Sequence, residues 1–344
     1  MKSLQGLATG IGSLPYQDAE EALELIFKYL PLAPFWPQLP RRNLREGMLP
    51  QFSEHLPCLK IKDGEFVFDP ADRDNEFEKF YDRVIAADTD YFAISKDFSL
   101  GFYKFYEYLE NAGLDKAEFI KCHITGPFTF CAGINDERGN SLLHDEVFMQ
   151  AATKGLAMKA LWQLDVFKKF GKKMIIFLDE PYLASVGSAY TPVNRDAVVS
   201  MLSEAVELIK TKECLLGVHC CGNTDWSMLT DVTGLDIISF DAFNFQERFV
   251  LYADDLKRFF KKGGAVCWGI VPTQEDLGGL TAQILAKKIE SGLDVLVKKG
   301  LERSLLLERL MLSPACGLGT LDLQQPLGIF KLLAQTSELI TKKH

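Results

Sequence analysis

The sequence predicts a mixed α/β protein, specifically a (β/α)8 TIM barrel, and three observations carry that expectation. Short apolar runs alternate with longer helical stretches for most of the 344 residues, which is the rhythm of parallel βα units. Polar residues recur where those runs end, and barrels carry their chemistry at the C-terminal ends of their strands. No G-x-G-x-x-G follows the first run, so a dinucleotide-binding sheet lacks its usual mark.

Eight strands are expected, in order. Leu7 to Gly12 leads into Thr9-Gly10-Ile11-Gly12-Ser13, and Leu32 to Phe35 opens onto the proline-rich Pro34-Phe35-Trp36-Pro37-Gln38-Leu39-Pro40. About eighty residues then separate the second strand from the third, far more than a βα connection normally uses. This excursion, about 36–117, is expected to cap the barrel. It holds a hairpin of Leu59-Lys60-Ile61 and Phe66-Val67-Phe68 around Asp63-Gly64, then helices near 72–87 and 100–112. The third strand, Glu118 to Ile124, delivers His123 and Thr125-Gly126-Pro127, and the fourth, Lys173 to Leu178, delivers Asp179-Glu180-Pro181. The fifth runs from Leu215 to Cys221, and the sixth from Asp236 to Asp241. Ala265 to Ile270 and Arg309 to Ser313 complete the set, the last feeding Ala315-Cys316-Gly317-Leu318-Gly319. With no linker, repeat or low-complexity stretch, one elaborated domain over 1–344 is expected.

Bulk properties narrow the function classes. A chain that is 47% hydrophobic can bury a large core. Its 47 acidic against 38 basic residues give a net charge of -9, which argues against a nucleic-acid partner. The N-terminus lacks the pattern of a signal peptide, and no apolar run reaches membrane-spanning length. Eight irregularly spaced cysteines do not form a disulfide framework. A reduced, cytoplasmic protein without a membrane partner is expected.

The strongest local signal is His219-Cys220-Cys221-Gly222-Asn223. A strand sends alternate side chains to opposite faces, so His219 and Cys221 emerge together while Cys220 points into the core. Cys316, at another predicted strand end, supplies a third soft ligand. One imidazole and two thiols leave a fourth position open, which is the pattern of a catalytic rather than a structural Zn²⁺ site. Asp241 is either a weak fourth ligand or an acceptor orienting His219, and its spacing leaves both open. Asp179 and Glu180 are candidates for binding substrate, or a capping pair ahead of Pro181. His123 reads as hydrogen-bonded structure. Cys58, Cys122, Cys131, Cys214 and Cys267 read as small core hydrophobes.

These residues carry a resemblance. Ile11-Gly12-Ser13, Ile124-Thr125-Gly126-Pro127, Asp179-Glu180-Pro181, His219-x-Cys221, Ile238-Ser239-Phe240-Asp241 and Ala315-Cys316-Gly317-Leu318 are similar to the C-terminal catalytic barrel of cobalamin-independent methionine synthase. The same pattern resembles the zinc methyltransferases of the uroporphyrinogen decarboxylase superfamily. The resemblance implies Zn²⁺ on His219, Cys221 and Cys316, with Asp241 where the synthases carry a glutamate ligand. It implies a substrate amino acid held by Ser13 and Asp179, and methyl transfer to a thiol such as homocysteine. Catalytic roles then fall to Asp241 and Asp179.

Three departures shape the expectation further. The synthases have a second, N-terminal barrel that this length does not accommodate. Their seventh strand ends in a histidine that protonates the departing folate nitrogen, where this chain has Ile270-Val271-Pro272. Cob(I)alamin needs no such proton, so a corrinoid protein becomes the favoured methyl donor over a methylated folate. Their amino-group-reading acids are replaced around Arg41, Arg42 and Leu44, and the two arginines are candidates for attracting an anionic substrate group. The alternatives are a metal-free decarboxylase acting on a tetrapyrrole, and a non-catalytic zinc- or corrinoid-binding module.

Overall fold

A computed structural model describes residues 4–112, 114–188, 193–274 and 277–343. Seven parallel strands form one curled sheet: β1 (Leu7–Ala8), β4 (Phe119–Thr125), β5 (Lys173–Asp179), β6 (Leu215–Cys220), β7 (Ile237–Phe240), β8 (Ala265–Val271) and β9 (Leu310–Pro314). The spatial order is β1-β9-β8-β7-β6-β5-β4, with helices between consecutive strands from β4 onward. The remaining two strands, β2 (Leu59–Lys62) and β3 (Glu65–Phe68), make the expected antiparallel hairpin. Its turn residues Asp63 and Gly64 have φ of 52° and 82°, both positive, as a two-residue turn matched to strand twist requires.

The expected second strand differs. Residues 32–35 form no regular strand, and only Phe35 makes a parallel bridge, to Lys121. The reason lies in Pro31, Pro34 and Pro37, which have no N–H to give a ladder. The segment acts mainly as an acceptor: Leu32 O takes Phe119 N at 3.0 Å and Pro34 O takes Lys121 N at 2.9 Å. On its other side Ala33 O accepts from Thr9 Oγ1 at 2.9 Å, and Gln38 N donates to Gly12 O at 3.1 Å. Both edges of the seven-stranded sheet thus hydrogen-bond to the same stretch of chain.

Strand alternation sorts the core into two populations. Leu7, Phe119, Ile175, Phe177, Ile237 and Met311 pack together on the concave face, whereas Ile176, Val218, Ile238 and Leu312 join the large cluster beneath the helices. The longest helix, Glu146–Phe167, starts where Asp145 accepts from Phe148 N and buries most of its circumference. Lys121 is a cation inside the concave face. Its Nζ donates to the Ile11 carbonyl and lies 4.8 Å from the Phe177 ring centroid, and burial lowers its pKa to about 8.

Between Phe35 and β4 lie the hairpin, the helices Arg73–Ile85 and Leu100–Ala112, and short 3₁₀ turns at Leu44–Glu46, Pro50–Phe52 and Thr89–Phe92. Thr125 Oγ1, at the end of β4, donates to Met48 O at 2.6 Å, so this excursion is tied to the strand ends. No helix among the described residues is long and apolar enough to cross a membrane.

Candidate metal centre

Strand register assembles the centre. His219 on β6 lies opposite Asp179 on β5 and Ser239 on β7, so all three face the concave side. Cys220 turns into the packed core, and Cys221 re-emerges beside His219. Cys316 arrives from the turn after β9. Ser13 fixes that turn: its carbonyl accepts from Leu318 N at 2.9 Å and its Oγ from Gly319 N at 3.2 Å. Gly317 lets the turn pack closely, because a Cβ there would stand 2.3 Å from Ser13 Oγ and would have to displace it.

One ligand atom each from His219, Cys221 and Cys316 lies within 4.8 Å of the others. His219 is 2% exposed; its Nδ1 pairs with Ser239 Oγ at 3.0 Å, while its Nε2 is buried with no hydrogen-bond partner. A buried nitrogen held by its far side and left bare on the near side is the arrangement that a metal-ligating histidine needs. The Cys221 thiol and the adjacent His219 ring hold Cys316 well below the usual thiol range, and Cys221 is pushed up in return. One buried nitrogen and two part-exposed sulfurs fit a zinc ion.

The triad opens onto a cavity of about 110 Å³, also lined by Ser13, Gln38, Met48, Phe52, His123 and Asp179. Asp179 Oδ1 is buried without a partner, and burial raises the carboxyl to about 6 against the pull of Lys121 and His219. Ser13 and Asp179 are thus brought together with the triad.

Other expected site residues are placed elsewhere. Glu180 is not among the described lining residues; its carboxylate accepts from Phe128 N at 3.0 Å and Thr129 N at 2.6 Å, capping the helix Pro127–Ala132. The expected cap of the turn beginning at Pro181 is not made, since Glu180 forms no side-chain cap there and serves a neighbouring helix instead. Asp241 lies outside the three-atom cluster and caps the helix Ala242–Phe249, its Oδ1 taking Asn244 N at 2.9 Å and its Oδ2 taking Asn244 Nδ2 at 2.8 Å. It remains close enough for Cys316 and His219 to act on its charge. His219 Nδ1 is oriented by Ser239 instead. Arg41 donates to Thr320 O at 2.8 Å and Arg42 pairs with the buried Glu46, so neither guanidinium lines the cavity.

Two residues near the triad carried no role in the sequence. Ser239 and Lys121 occupy inward positions of β7 and β4, a parity that could have been counted from His219 and His123. His123, expected to be hydrogen-bonded structure, differs from that expectation: neither ring nitrogen has a partner.

Comparison with known proteins adds little to this picture. No family model and no curated protein matches the chain. Among solved structures, a proposed sugar phosphate isomerase/epimerase from Anabaena variabilis is similar at 11% identity and a TM-score of 0.40, covering 77% of this chain and 83% of its own.

Proposed function

We propose that the chain is a zinc-dependent S-methyltransferase that activates a small thiol, homocysteine or a relative, and methylates it from a methylcorrinoid or a methylated folate. The observation that carries this reading is the bare, buried Nε2 of His219 facing the thiols of Cys221 and Cys316. When bound, zinc would lower the pKa of an incoming thiol and present it as the nucleophilic thiolate. The chain's own residues do the rest. Ser239 fixes the His219 ring, and Ser13 pins the turn that carries Cys316. Asp179, with an oxygen free at the cavity, takes the substrate's ammonium or its proton, and Asp241 supplies negative charge beside the thiols.

The fold under this proposal is a closed (β/α)8 barrel. Residues 32–38 would serve as the eighth staff, a proline-interrupted one that joins β1 to β4. Residues 1–344 would form a single domain, with about 36–117 as its cap. Methyl transfer from a methylcorrinoid, which releases cob(I)alamin without a proton, suits the absence of an acid in Ile270-Val271-Pro272 and invites a separate corrinoid protein to dock over the strand ends. Reduced thiols suit the cytoplasm. A cavity of about 110 Å³ suits a small thiol and not a tetrapyrrole, which weighs against the decarboxylase alternative.

Turnover tests this directly. Zinc-loaded protein should methylate homocysteine from methylcobalamin, lose that activity on chelation and regain it with zinc. Methyl transfer that survives complete removal of metal would refute the proposal.

A further inference from the structure

His123 is a buried polar group that the proposed chemistry does not use. It is 1% exposed, yet Nδ1 and Nε2 both lack a partner. Leaving such a group desolvated is unfavourable, and a native structure that does so calls for an explanation. Its ring lines the same cavity as His219, Cys221 and Cys316.

The imidazole is also held unusually firmly. Trp36 stacks on it with centroids 3.9 Å apart and planes at 23°, and Phe52 meets it edge-on at 6.3 Å and 89°. Gln163 locks the stack from behind, accepting from Trp36 Nε1 at 2.9 Å and donating to His123 O at 3.1 Å. On the remaining side Gly12 allows close approach, since a Cβ there would stand 2.8 Å from the ring. A neutral imidazole has one N–H and one lone pair. Burial and the nearby Lys121 cation both push the pKa of this ring down. Asp179 brings a second unpartnered atom, Oδ1, to the cavity.

We propose that His123 is a positioning residue: it donates a hydrogen bond to an acceptor oxygen at the polar end of the thiol substrate, and so selects thiols that carry such an end over plain alkanethiols. The inference rests on the reading of the triad as a thiol-activating centre. With the sulfur held at the triad and the polar end at His123, Asp179 is left to take a cationic group. Pre-organisation by Trp36, Phe52 and Gln163 means that little ordering is needed when the substrate enters.

Two probes separate this role from a structural one: homocysteine, and 1-propanethiol, which has no polar end. In zinc-loaded full-length protein with methylcobalamin, His123→Phe should raise KM for homocysteine by about 10- to 100-fold and leave kcat and the propanethiol KM nearly unchanged. His123→Gln, which restores a donor, should recover most of the loss. Equal effects on the two thiols would overturn the proposal. A second readout needs no variant and no metal. The imidazole ¹⁵N resonances of His123 in wild-type protein should shift with homocysteine and stay fixed with propanethiol, with or without zinc. Zinc uptake with an unmoved His123 would refute this inference and spare the metal centre. A shifted His123 in a chain that binds no zinc would do the reverse.

Discussion

Replacing Cys316 or Cys221 with Ala should remove zinc and methyl transfer together, lowering turnover by about a thousandfold or more, while the chain stays folded. The separation of function from folding follows from where the residues sit. Both thiols are part-exposed beyond the ends of β6 and β9, and the strand ladders beneath them are made by backbone. The concave core of Phe119, Ile175, Phe177 and Ile237 packs without any metal ligand. Cys220→Ala is the matched control. That side chain is fully buried on the opposite face, so its loss should cost some packing energy but retain zinc. Metal content per chain, circular dichroism and thermal unfolding of the three variants would check the pattern. Full zinc in Cys316→Ala would show the ligand assignment to be wrong.

The second large effect concerns stability. Glu180→Ala should destabilise the chain by about 2–4 kcal/mol, because the N–H groups of Phe128 and Thr129 lose their acceptor in a buried setting. Zinc content per folded molecule should not change. Glu180→Gln removes the charge but keeps only one acceptor oxygen for the two N–H groups, so it carries a constant cost of its own and only its pH dependence is compared with wild type. Burial raises the Glu180 carboxyl to about 7 despite those hydrogen bonds. A carboxyl whose folded pKa lies above its unfolded value favours folding most below about pH 4, and that contribution fades as pH rises toward 7. Wild type should therefore lose stability from pH 5 to 8 relative to Glu180→Gln. Urea unfolding at several pH values would show it, and parallel curves for the two proteins would count against this account of Glu180.

Much of this architecture can be read from the residues. β4 to β9 announce themselves as apolar runs with a polar residue at the end, and the Asp63-Gly64 turn needs two positive φ angles that such a pair supplies readily. The His219-x-Cys221 spacing places both on one face because a strand alternates. Residues 32–35 were harder, since proline supplies strand-like φ angles while withholding the N–H that defines a ladder. The ring partners of His219 and His123 were harder still. Ser239 meets His219 only through the pairing of β6 with β7, and Trp36 meets His123 across the start of the cap. Arg41 and Arg42 show the limit of reading charge by position, because Thr320 O and Glu46 draw them away from the cavity.

The most direct test of the central claim is the zinc content of the purified chain, with the zinc X-ray absorption spectrum recorded before and after homocysteine is added. The account predicts one zinc per chain bound by one nitrogen and two sulfurs, gaining a third sulfur from the thiol. Absence of zinc, or a coordination shell that ignores homocysteine, would contradict it.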